Sequence, residues 1–381
     1  MTRRTAKGGE RMIPQRKGLA SRQAHVDLPD GTVEEEHGRQ AFTGRASHLY
    51  RTAPPTAWVK VEGPLRPWAF DWNRLAPPDQ TDPEGDPLVV LSNRDLTVLV
   101  SRRSAPMPYF VRDADGDVVY FVHRGEGTLE TDYGPLRFRP GDYLVVPKGT
   151  THRVVPATTD NFLLVIEGDE FVLPDKGLLG HHALFDPGVL ETPEPEPHDE
   201  KGSFRVRVRR RGEVTTFTFP HHPLNVVGWQ GDLAPFRLNV ADFRPVVSPR
   251  YHLPPSVHTT FRCRGFDIAT FAPRPFETDP GALRVPFYHS NIDNDELLFY
   301  HDGDFFSRKG IDRGMATLHP AGVHHGPQPG AAEGAAAKEM TDEVAVMIEC
   351  LEPLVVSPEA EKASIDAYAT SWARGLGLLE E

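Results

Sequence analysis

Short runs of alternating apolar and polar residues, interrupted by glycine and proline, dominate the chain. Residues 117–155 read "DVVYFVHRGEGTLETDYGPLRFRPGDYLVVPKGTTHRVV" and contain at least three apolar-rich segments separated by "RGEG", "DYG" and "PGD". Val, Tyr, Phe and Leu within the segments, with Gly, Pro and Asp between them, are typical of an antiparallel sandwich or barrel. The pattern therefore predicts a mostly β protein.

The clearest helical signal lies near the end of the chain, in "SPEAEKASIDAYATSWARGLG". Ser357 is placed to cap a helix, Pro358 takes its first position and Gly375 ends it, which is the usual asymmetry of helix termini. Residues 186–202 ("DPGVLETPEPEPHDEKG") are acidic and rich in proline, which is typical of a linker or exposed loop. The predicted parts are a partly disordered N-terminal extension (1–40), an N-terminal β-domain (41–185), the linker or loop (186–202), a C-terminal β-domain (203–356), and a C-terminal helix and tail (357–381).

Composition narrows the classes of function. The 381 residues suffice for two domains, and the net charge of -12 argues against a nucleic-acid groove or an anionic membrane surface as partner. The two cysteines, Cys263 and Cys350, are not in a CxxC pair, which favours a reducing compartment. No apolar stretch approaches the roughly 20 residues that span a bilayer, and the basic first residues lack the apolar core of a secretory signal. We therefore expect a soluble, cytoplasmic protein.

Both halves of the chain carry the same turn motif, P-x-G-x-x-H. It covers residues 147–152 in the first half and residues 320–325 in the second. Upstream of the second copy, His289, Asn291 and Glu296 fit the pattern H-x-N-x4-E-x6-G. Together these are the two motifs of a cupin barrel, so we predict two cupin-like, jelly-roll β-domains, of which the C-terminal one binds a metal.

The second copy supplies the chemistry of a metal centre. Alternation along a strand places His289 and Asn291 on the same side, and the motif adds Glu296 and His325. Two imidazoles and one carboxylate on one face of a metal, with other positions open, are typical of non-haem Fe(II) oxygenases. Asp295 competes with Glu296 for the carboxylate position, and His324 with His325 for the second imidazole.

The remaining histidines receive plainer interpretations. The first half offers His152 without partner ligands, so we predict a buried polar side chain and a metal-free, structural domain. We expect His301, before "DGD", to be exposed, and the doublets at 181–182 and 221–222 to lie at the surface.

Several segments, in order along the chain, resemble the homogentisate 1,2-dioxygenase family. Residues 40–55 ("QAFTGRASHLYRTAPP"), 225–243 ("NVVGWQGDLAPFRLNVADF") and 250–261 ("RYHLPPSVHTTF") carry the likeness, as do "FYHSN", "TLHP" and "HHGP". The resemblance implies two β-rich domains with Fe(II) in the C-terminal one. It also implies extradiol-type opening of homogentisate by O2 to maleylacetoacetate, a step of tyrosine and phenylalanine catabolism. We further expect a homo-oligomer.

The same resemblance assigns roles to single residues. It implies that His289, Glu296 and His325 are the iron ligands and that His252 is the catalytic base. It implies substrate contacts for His319 and Tyr288, whereas the cationic "SRKG" loop offers Lys309, beside Arg308, as a partner for the acetate carboxylate.

The sequence also departs from the family pattern. Ser290 and His324 replace the family's Arg and Pro, and four residues rather than three separate Asn291 from Glu296. These changes lie beside the expected metal, so gentisate or another substituted hydroquinone is the alternative substrate. A metal-dependent isomerase or hydrolase, and a non-enzymatic cupin, are the alternatives from other classes, because a fold does not determine chemistry.

Overall fold

The computed structural model describes residues 15–284, 286–335 and 337–380, and this part of the chain is built mainly from β-strands. The mostly β fold predicted from the sequence is therefore confirmed. Residues 1–14 of the predicted N-terminal extension lie outside the described residues.

The strands of the described residues follow in chain order. The first eleven are β1 (Val33–Gly38), β2 (Ala46–Arg51), β3 (Trp68–Asp71), β4 (Leu88–Ser92), β5 (Thr97–Ser101), β6 (Phe110–Asp113), β7 (Asp117–Arg124), β8 (Gly127–Thr131), β9 (Gly134–Phe138), β10 (Asp142–Val146) and β11 (Thr151–Pro156). The next eleven are β12 (Phe162–Gly168), β13 (Lys201–Arg210), β14 (Glu213–His221), β15 (Phe236–Asn239), β16 (Thr259–Cys263), β17 (Phe266–Phe271), β18 (Tyr288–Asn291), β19 (Asp295–Asp302), β20 (Met315–His319), β21 (Val344–Cys350) and β22 (Val355–Val356).

These strands form four sheets within the described residues. The N-terminal sheet has the strand order β14-β13-β6-β11-β8-β9, and the central sheet has the order β15-β10-β7-β12-β5-β4-β22. The C-terminal sheet is β16-β17-β21-β19-β20-β3, and a small cover sheet is β18-β1-β2. Strand pairs are antiparallel except for β1 with β18 and β13 with β6, which are parallel.

The turns between the predicted strands of residues 117–155 lie where glycine is placed to allow them. Gly125, in "RGEG" between β7 and β8, has a φ of 95°, and Gly141, in "PGD" between β9 and β10, has a φ of 84°. Glycine adopts such positive φ angles without the steric cost that a side chain adds. The punctuation seen in the sequence therefore marks real chain reversals.

Alternating side chains let the central sheet bury both of its faces. Along β7, Val119 and Phe121 belong to the core shared with the C-terminal sheet, whereas Val118, Tyr120 and Val122 belong to the core shared with the N-terminal sheet. Successive residues of a strand point to opposite faces, so a strand buried on both sides is apolar throughout. The central sheet is thus the middle layer of the molecule.

One face of the C-terminal sheet packs in the core, and the other face borders a cavity. Along β19, Leu297 and Phe299 enter the core shared with the central sheet. Glu296, Leu298 and Tyr300 face the other way, into a cavity. Strand β18 of the cover sheet borders the same cavity through His289. Glu296 and His289, both predicted as metal ligands, therefore meet between the C-terminal sheet and the cover sheet.

Strands cross between the two halves of the chain. Strand β3 extends the C-terminal sheet beside β20, while β15 and β22 join the central sheet. Each half therefore contributes at least one strand to the other. The residue boundaries predicted for the domains stay a prediction.

The C-terminal end is helical, as expected, but it is not one continuous helix. Helices α1 (Ala331–Ala335), α2 (Pro358–Lys362) and α3 (Ser371–Gly375) are short, and a 3₁₀ segment precedes α3. The Ser357 hydroxyl accepts a hydrogen bond from the Ala360 N–H, which confirms the predicted cap. The Ile365 N–H donates to the Ala69 carbonyl of β3, and this contact interrupts the helix. No helix of the described residues is both long and apolar enough to cross a membrane.

Two of the predictions for other histidines are wrong. His301 is buried in β19, with its Nδ1 3.0 Å from Nδ1 of His123, because it faces the core between two sheets. His222 is also buried, and its ring stacks on that of His198 at 4.1 Å.

His152 is buried and has protein partners on both ring nitrogens. Its Nε2 lies 2.9 Å from the Tyr120 hydroxyl, and its Nδ1 lies 3.2 Å from the Thr150 carbonyl oxygen. This agrees with its interpretation as a buried polar side chain. The absence of a metal from this half stays a prediction.

Candidate metal centre

His289 and His325 are held together by their own backbones. Each N–H donates to the carbonyl of the other, at 2.8 and 2.9 Å, and the two ring centroids are 4.0 Å apart. Nδ1 of His289 lies 3.1 Å from the Phe287 carbonyl oxygen, and Nδ1 of His325 lies 3.0 Å from that of Val323. An Nδ1–H that donates to a carbonyl fixes the tautomer and leaves Nε2 as a metal-ligating lone pair.

Glu296 completes this pair of imidazoles. Its Oε2 lies 3.4 Å from Nε2 of His289 and 3.3 Å from Nε2 of His325. Burial alone would raise the pKa of Glu296, but the three imidazoles around it, those of His325, His289 and His319, hold it well below its usual value. The group is therefore an ionised carboxylate that faces the two Nε2 atoms.

The two competing residues have other partners. The carboxylate of Asp295 accepts hydrogen bonds from the N–H groups of Ala321 and Leu354, both at 2.8 Å. Nε2 of His324 lies 2.9 Å from Oε1 of Glu35. Asp295 and His324 are therefore engaged elsewhere, and Glu296 and His325, which the cupin motif favours, form the cluster.

His319 lies behind Glu296. Its Nδ1 is 2.9 Å from Oε1 of Glu296, and its Nε2 is 2.9 Å from the Tyr368 hydroxyl in the C-terminal helical segment. The side chain is fully buried, and burial lowers its pKa to about 3. A neutral His319 donates one N–H and accepts at its other nitrogen, so it orients the Glu296 carboxylate.

A second buried carboxylate stands beside Glu296 in the C-terminal sheet. Glu349 pairs with Glu296 across β19 and β21, and its Oε2 accepts a hydrogen bond from the Asn291 side-chain amide at 2.9 Å. Burial and the nearby Glu296 hold the pKa of Glu349 well above its usual value. Asn291, which shares the side of β18 with His289, is thereby turned toward Glu349.

His252 lines the same cavity as His289 and Glu296. Its Nδ1 lies 2.7 Å from Oε1 of Glu277. Burial lowers the pKa of His252 below the ordinary histidine value, and Glu277 offsets part of this effect. A neutral imidazole whose Nδ1–H donates to Glu277 keeps Nε2 as a proton acceptor.

Two positively charged side chains, Arg308 and Arg274, line the cavity. Arg274 pairs with Glu343 at 3.4 Å. Arg308 donates from Nη1 to the Gly326 carbonyl at 2.8 Å, while its buried Nε has no hydrogen-bond partner among the described residues. No carboxylate of the described chain forms an ion pair with Arg308, so the cavity holds a guanidinium ready to bind an anion.

The predicted substrate contacts His319, Tyr288 and Lys309 are not among the described residues that line the cavity. Lys309 is exposed, whereas its neighbour Arg308 lines the cavity. Tyr288 is half-buried and packs beside an apolar cluster of the C-terminal sheet; as the residue before His289 on β18, it faces the other side of that strand. Substrate contacts by His319, Tyr288 and Lys309 stay predictions.

Sequence reasoning missed several residues that shape the site. Glu277, Glu349 and Tyr368 each contact one of the predicted residues, but they lie 25 to 53 positions away from it in the chain and carry no motif of their own. A carboxylate or phenol without a fixed spacing gives no local signal. Only Arg308 had one, as part of the "SRKG" loop.

The residues present fit a divalent metal ion of the iron class. One donor atom from each of His289, Glu296 and His325 lies within 4.8 Å of the others, and all three side chains are buried. Nε2 of His325 is buried 3.3 Å from Oε2 of Glu296 but has no hydrogen bond among the described residues, because its lone pair cannot donate to the carboxylate. Such an atom is costly unless a ligand meets it. Two imidazoles with one carboxylate are the donor set of non-haem Fe(II) oxygenases.

Comparison with known proteins finds family matches over most of the chain. The family model for the N-terminal part of homogentisate 1,2-dioxygenase matches residues 90–240, and the model for its C-terminal part matches residues 250–376. A Saccharolobus solfataricus protein named as a candidate dioxygenase is 33% identical over 94% of this chain and 98% of its own length. The homogentisate 1,2-dioxygenase of Bradyrhizobium diazoefficiens is 29% identical, over 68% of this chain and 62% of the enzyme. The chain thus matches less than two thirds of that enzyme.

Among solved structures, the cupin 2 conserved barrel domain protein from Leptotrichia buccalis is similar over 74% of this chain and 96% of its own, with 10% identity and a TM-score of 0.32. Protein Ylba from E. coli is similar over 77% of this chain and 95% of its own, with 8% identity and a TM-score of 0.35.

Proposed function

Since the chain belongs to the homogentisate 1,2-dioxygenase family, we propose that it is an Fe(II)-dependent dioxygenase that opens the ring of homogentisate to give maleylacetoacetate. The observation that carries the proposal is the buried set of His289, Glu296 and His325, with its unpartnered Nε2, on the wall of a cavity that also contains His252 and Arg308.

His289, Glu296 and His325 would hold the iron through two Nε2 atoms and a carboxylate oxygen. Bound Fe(II) supplies a Lewis-acidic contact for a phenol oxygen and the electron transfer that lets O2 react with the ring. Both oxygen atoms enter the product when the ring opens. His319 and Tyr368 keep the Glu296 carboxylate oriented from behind.

His252 serves as the base that accepts the phenol proton. Its Nε2 remains an acceptor because Nδ1 is engaged by Glu277, and its lowered pKa keeps the imidazole neutral at neutral pH. A general base of this kind contributes roughly 10²- to 10⁴-fold to the rate.

Arg308 binds the carboxylate of the substrate. It is half-buried with its Nε fully buried, it lines the cavity, and it forms no ion pair with an acid among the described residues, so an aromatic acid supplies the missing negative charge. The apolar walls formed by Phe271, Leu298 and Met347 fit an aromatic ring. A small dihydroxyaromatic acid therefore satisfies both the polar and the apolar surfaces of the cavity.

Oxygen uptake tests the proposal. The anaerobically purified, Fe(II)-loaded protein is compared on homogentisate and gentisate, with His325→Ala as the variant that removes a metal ligand. We expect faster uptake with homogentisate and none with His325→Ala. Faster uptake with gentisate would refute the substrate while leaving ring cleavage in place, and no uptake with either acid would refute both.

A further inference from the structure

A second group of metal-type ligands lies outside this centre, in the N-terminal part of the described chain. It comprises His25, Glu34 and His48, each of which offers a donor atom within 4.8 Å of the others. Glu36 borders the group, with its Oε2 3.0 Å from Nε2 of His48 and 3.8 Å from Nε2 of His25. We call these four residues the strap cluster.

The cover sheet assembles the strap cluster by simple alternation. Glu34 and Glu36 project from the same face of β1 because they are two residues apart. On β2, which is antiparallel to β1, Tyr50 lies opposite Glu34 and His48 lies opposite Glu36. The sheet thus brings two carboxylates and one imidazole together, and His25 enters from the preceding loop.

His25 takes up a backbone conformation that its side chain disfavours. Its φ is 63°, in the left-handed region that non-glycine residues seldom adopt. In this position its N–H and its Nδ1 both meet Oε2 of Glu34, at 2.9 and 2.7 Å. A strained residue of this kind persists where its surroundings enforce it, often at binding sites.

The charges of the strap cluster are not balanced by fixed cations. Glu34 and Glu36 are 2% and 8% exposed, and within the described residues only histidines form ion pairs with them. Glu35, on the opposite face of β1, is the residue that Arg51 neutralises. Two buried carboxylates without Lys or Arg carry a charge of -2, and buried charges are normally paired or bound to a metal.

We propose that His25, Glu34 and His48, with Glu36 beside them, form a second metal site that binds a divalent cation of the zinc type. Imidazole nitrogens and carboxylate oxygens are ligands of Zn²⁺, and a charge of +2 matches the two glutamates. The alternative is a metal-free network in which the imidazoles pair with the two glutamates. Burial lowers the pKa of His48, but the hydrogen bond and the negative charge of Glu36 outweigh burial and raise it. A raised pKa favours the protonated imidazole that this alternative needs.

The location of the site gives it a structural role. The ring of His25 stacks on Phe287 at 4.2 Å, and Phe287 lies 5.4 Å from the ring of His289, centroid to centroid. Strand β1 also pairs in parallel with β18, with Glu36 beside His289. A metal here ties the N-terminal strands to the segment that carries the first ligand of the main centre.

Zinc binding by the full chain tests the proposal. The variant His289→Ala/His325→Ala removes the main centre, so zinc that it binds belongs elsewhere. Metal-free protein is loaded with Zn²⁺ and then measured by elemental analysis, calorimetry and thermal unfolding. We expect one zinc per chain and a higher Tm with zinc, because a ligand that binds the folded state stabilises it.

Further substitutions in that background locate the zinc. Adding His48→Ala or Glu34→Gln should abolish stoichiometric zinc binding and the rise in Tm, while His37→Ala, on an exposed residue of the same strand, should change neither. Far-UV circular dichroism identifies variants that fail to fold. If a variant does not fold, the zinc is located instead by anomalous scattering at the zinc edge from crystals of the zinc-loaded wild-type protein. A folded background variant that binds no zinc, zinc that survives both substitutions, or no anomalous peak among the four side chains would each overturn the site.

Discussion

Oε1 of Glu277 lies 2.7 Å from Nδ1 of His252, and both side chains are largely buried at the edge of the cavity. A carboxylate in this position accepts the Nδ1–H and so determines which ring nitrogen of His252 faces the substrate. The resemblance alone proposed His252 as the base, and its contact with Glu277 now defines the tautomer of its ring.

We predict that Glu277→Gln lowers kcat by about 10- to 100-fold, by analogy with the loss of a carboxylate that orients a metal-ligating histidine. Because Glu277 raises the pKa of His252 against the larger effect of burial, its removal lowers that pKa further. The acidic limb of the kcat/KM profile should therefore move to lower pH while the iron content stays the same.

Asp279→Asn is the matched control for this substitution. Asp279 lies two residues further along the chain and pairs with the exposed Arg250. Its replacement should leave the pH profile unchanged. An unshifted acidic limb in Glu277→Gln would refute the assignment of Glu277 as the partner that tunes His252.

The neighbouring acids Asp295 and Glu296 should respond in opposite ways to alanine. Glu296→Ala should lose iron and activity, because among the described residues it is the carboxylate grouped with both imidazoles of the cluster. Asp295→Ala should keep its iron but lose about 1–3 kcal/mol of unfolding free energy, because the buried Leu354 N–H is left without its acceptor. Iron analysis and urea unfolding measure the two effects, and iron loss in Asp295→Ala alone would reverse the assignment.

Arg308 and its neighbour Lys309 offer a matched pair for testing recognition of the substrate carboxylate. Arg308→Met should raise KM for homogentisate by roughly 10- to 150-fold, the equivalent of about 1.5–3 kcal/mol for a hydrogen bond to a charged group. Turnover of hydroquinone, which lacks the carboxylate, should change little. Lys309→Met, at an exposed position, should leave both substrates unaffected; the opposite ranking would favour Lys309 as the carboxylate partner.

The motifs of the sequence predicted the metal cluster because cupin spacing encodes local geometry. His289 and Glu296 lie on consecutive strands and His325 follows a Pro-Gly turn, so their relation depends on short stretches of chain. The same spacing favoured Glu296 over Asp295. Alternation allowed only one of His324 and His325 to point inward, and the P-x-G-x-x-H motif selected His325.

The parts that escaped prediction depend on contacts between distant segments. The exchange of β3 and β22 between the halves joins residues far apart in sequence, and no alternation pattern records which sheet a strand enters. His301 was expected at the surface because "DGD" indicates a turn, yet the turn begins after it and the side chain still faces the core. Burial between two sheets is a property of the assembled layers and is not visible in one strand.

The buried pair of His123 and His301 should make the stability depend on pH. Burial lowers the pKa of His123 to about 3 and that of His301 to about 4, whereas an unfolded histidine titrates near 6.5. Between about pH 6.5 and 4 the unfolded chain binds more protons, so the free energy of unfolding falls as the pH falls. Replacing both with leucine should reduce this slope by at most about 1.4 kcal/mol per pH unit for each histidine.

The double variant leaves no unpaired ring nitrogen, because each Nδ1 is the partner of the other. Urea unfolding of wild type and His123→Leu/His301→Leu at several pH values between 7.5 and 4.5 measures the two slopes, and effects of acid on the shared metal centre cancel in the difference. His181→Leu, at an exposed position, should keep the wild-type slope. If the double variant loses stability with acid as steeply as the wild type, the two histidines are already protonated in the folded core or titrate there as they do in the unfolded chain.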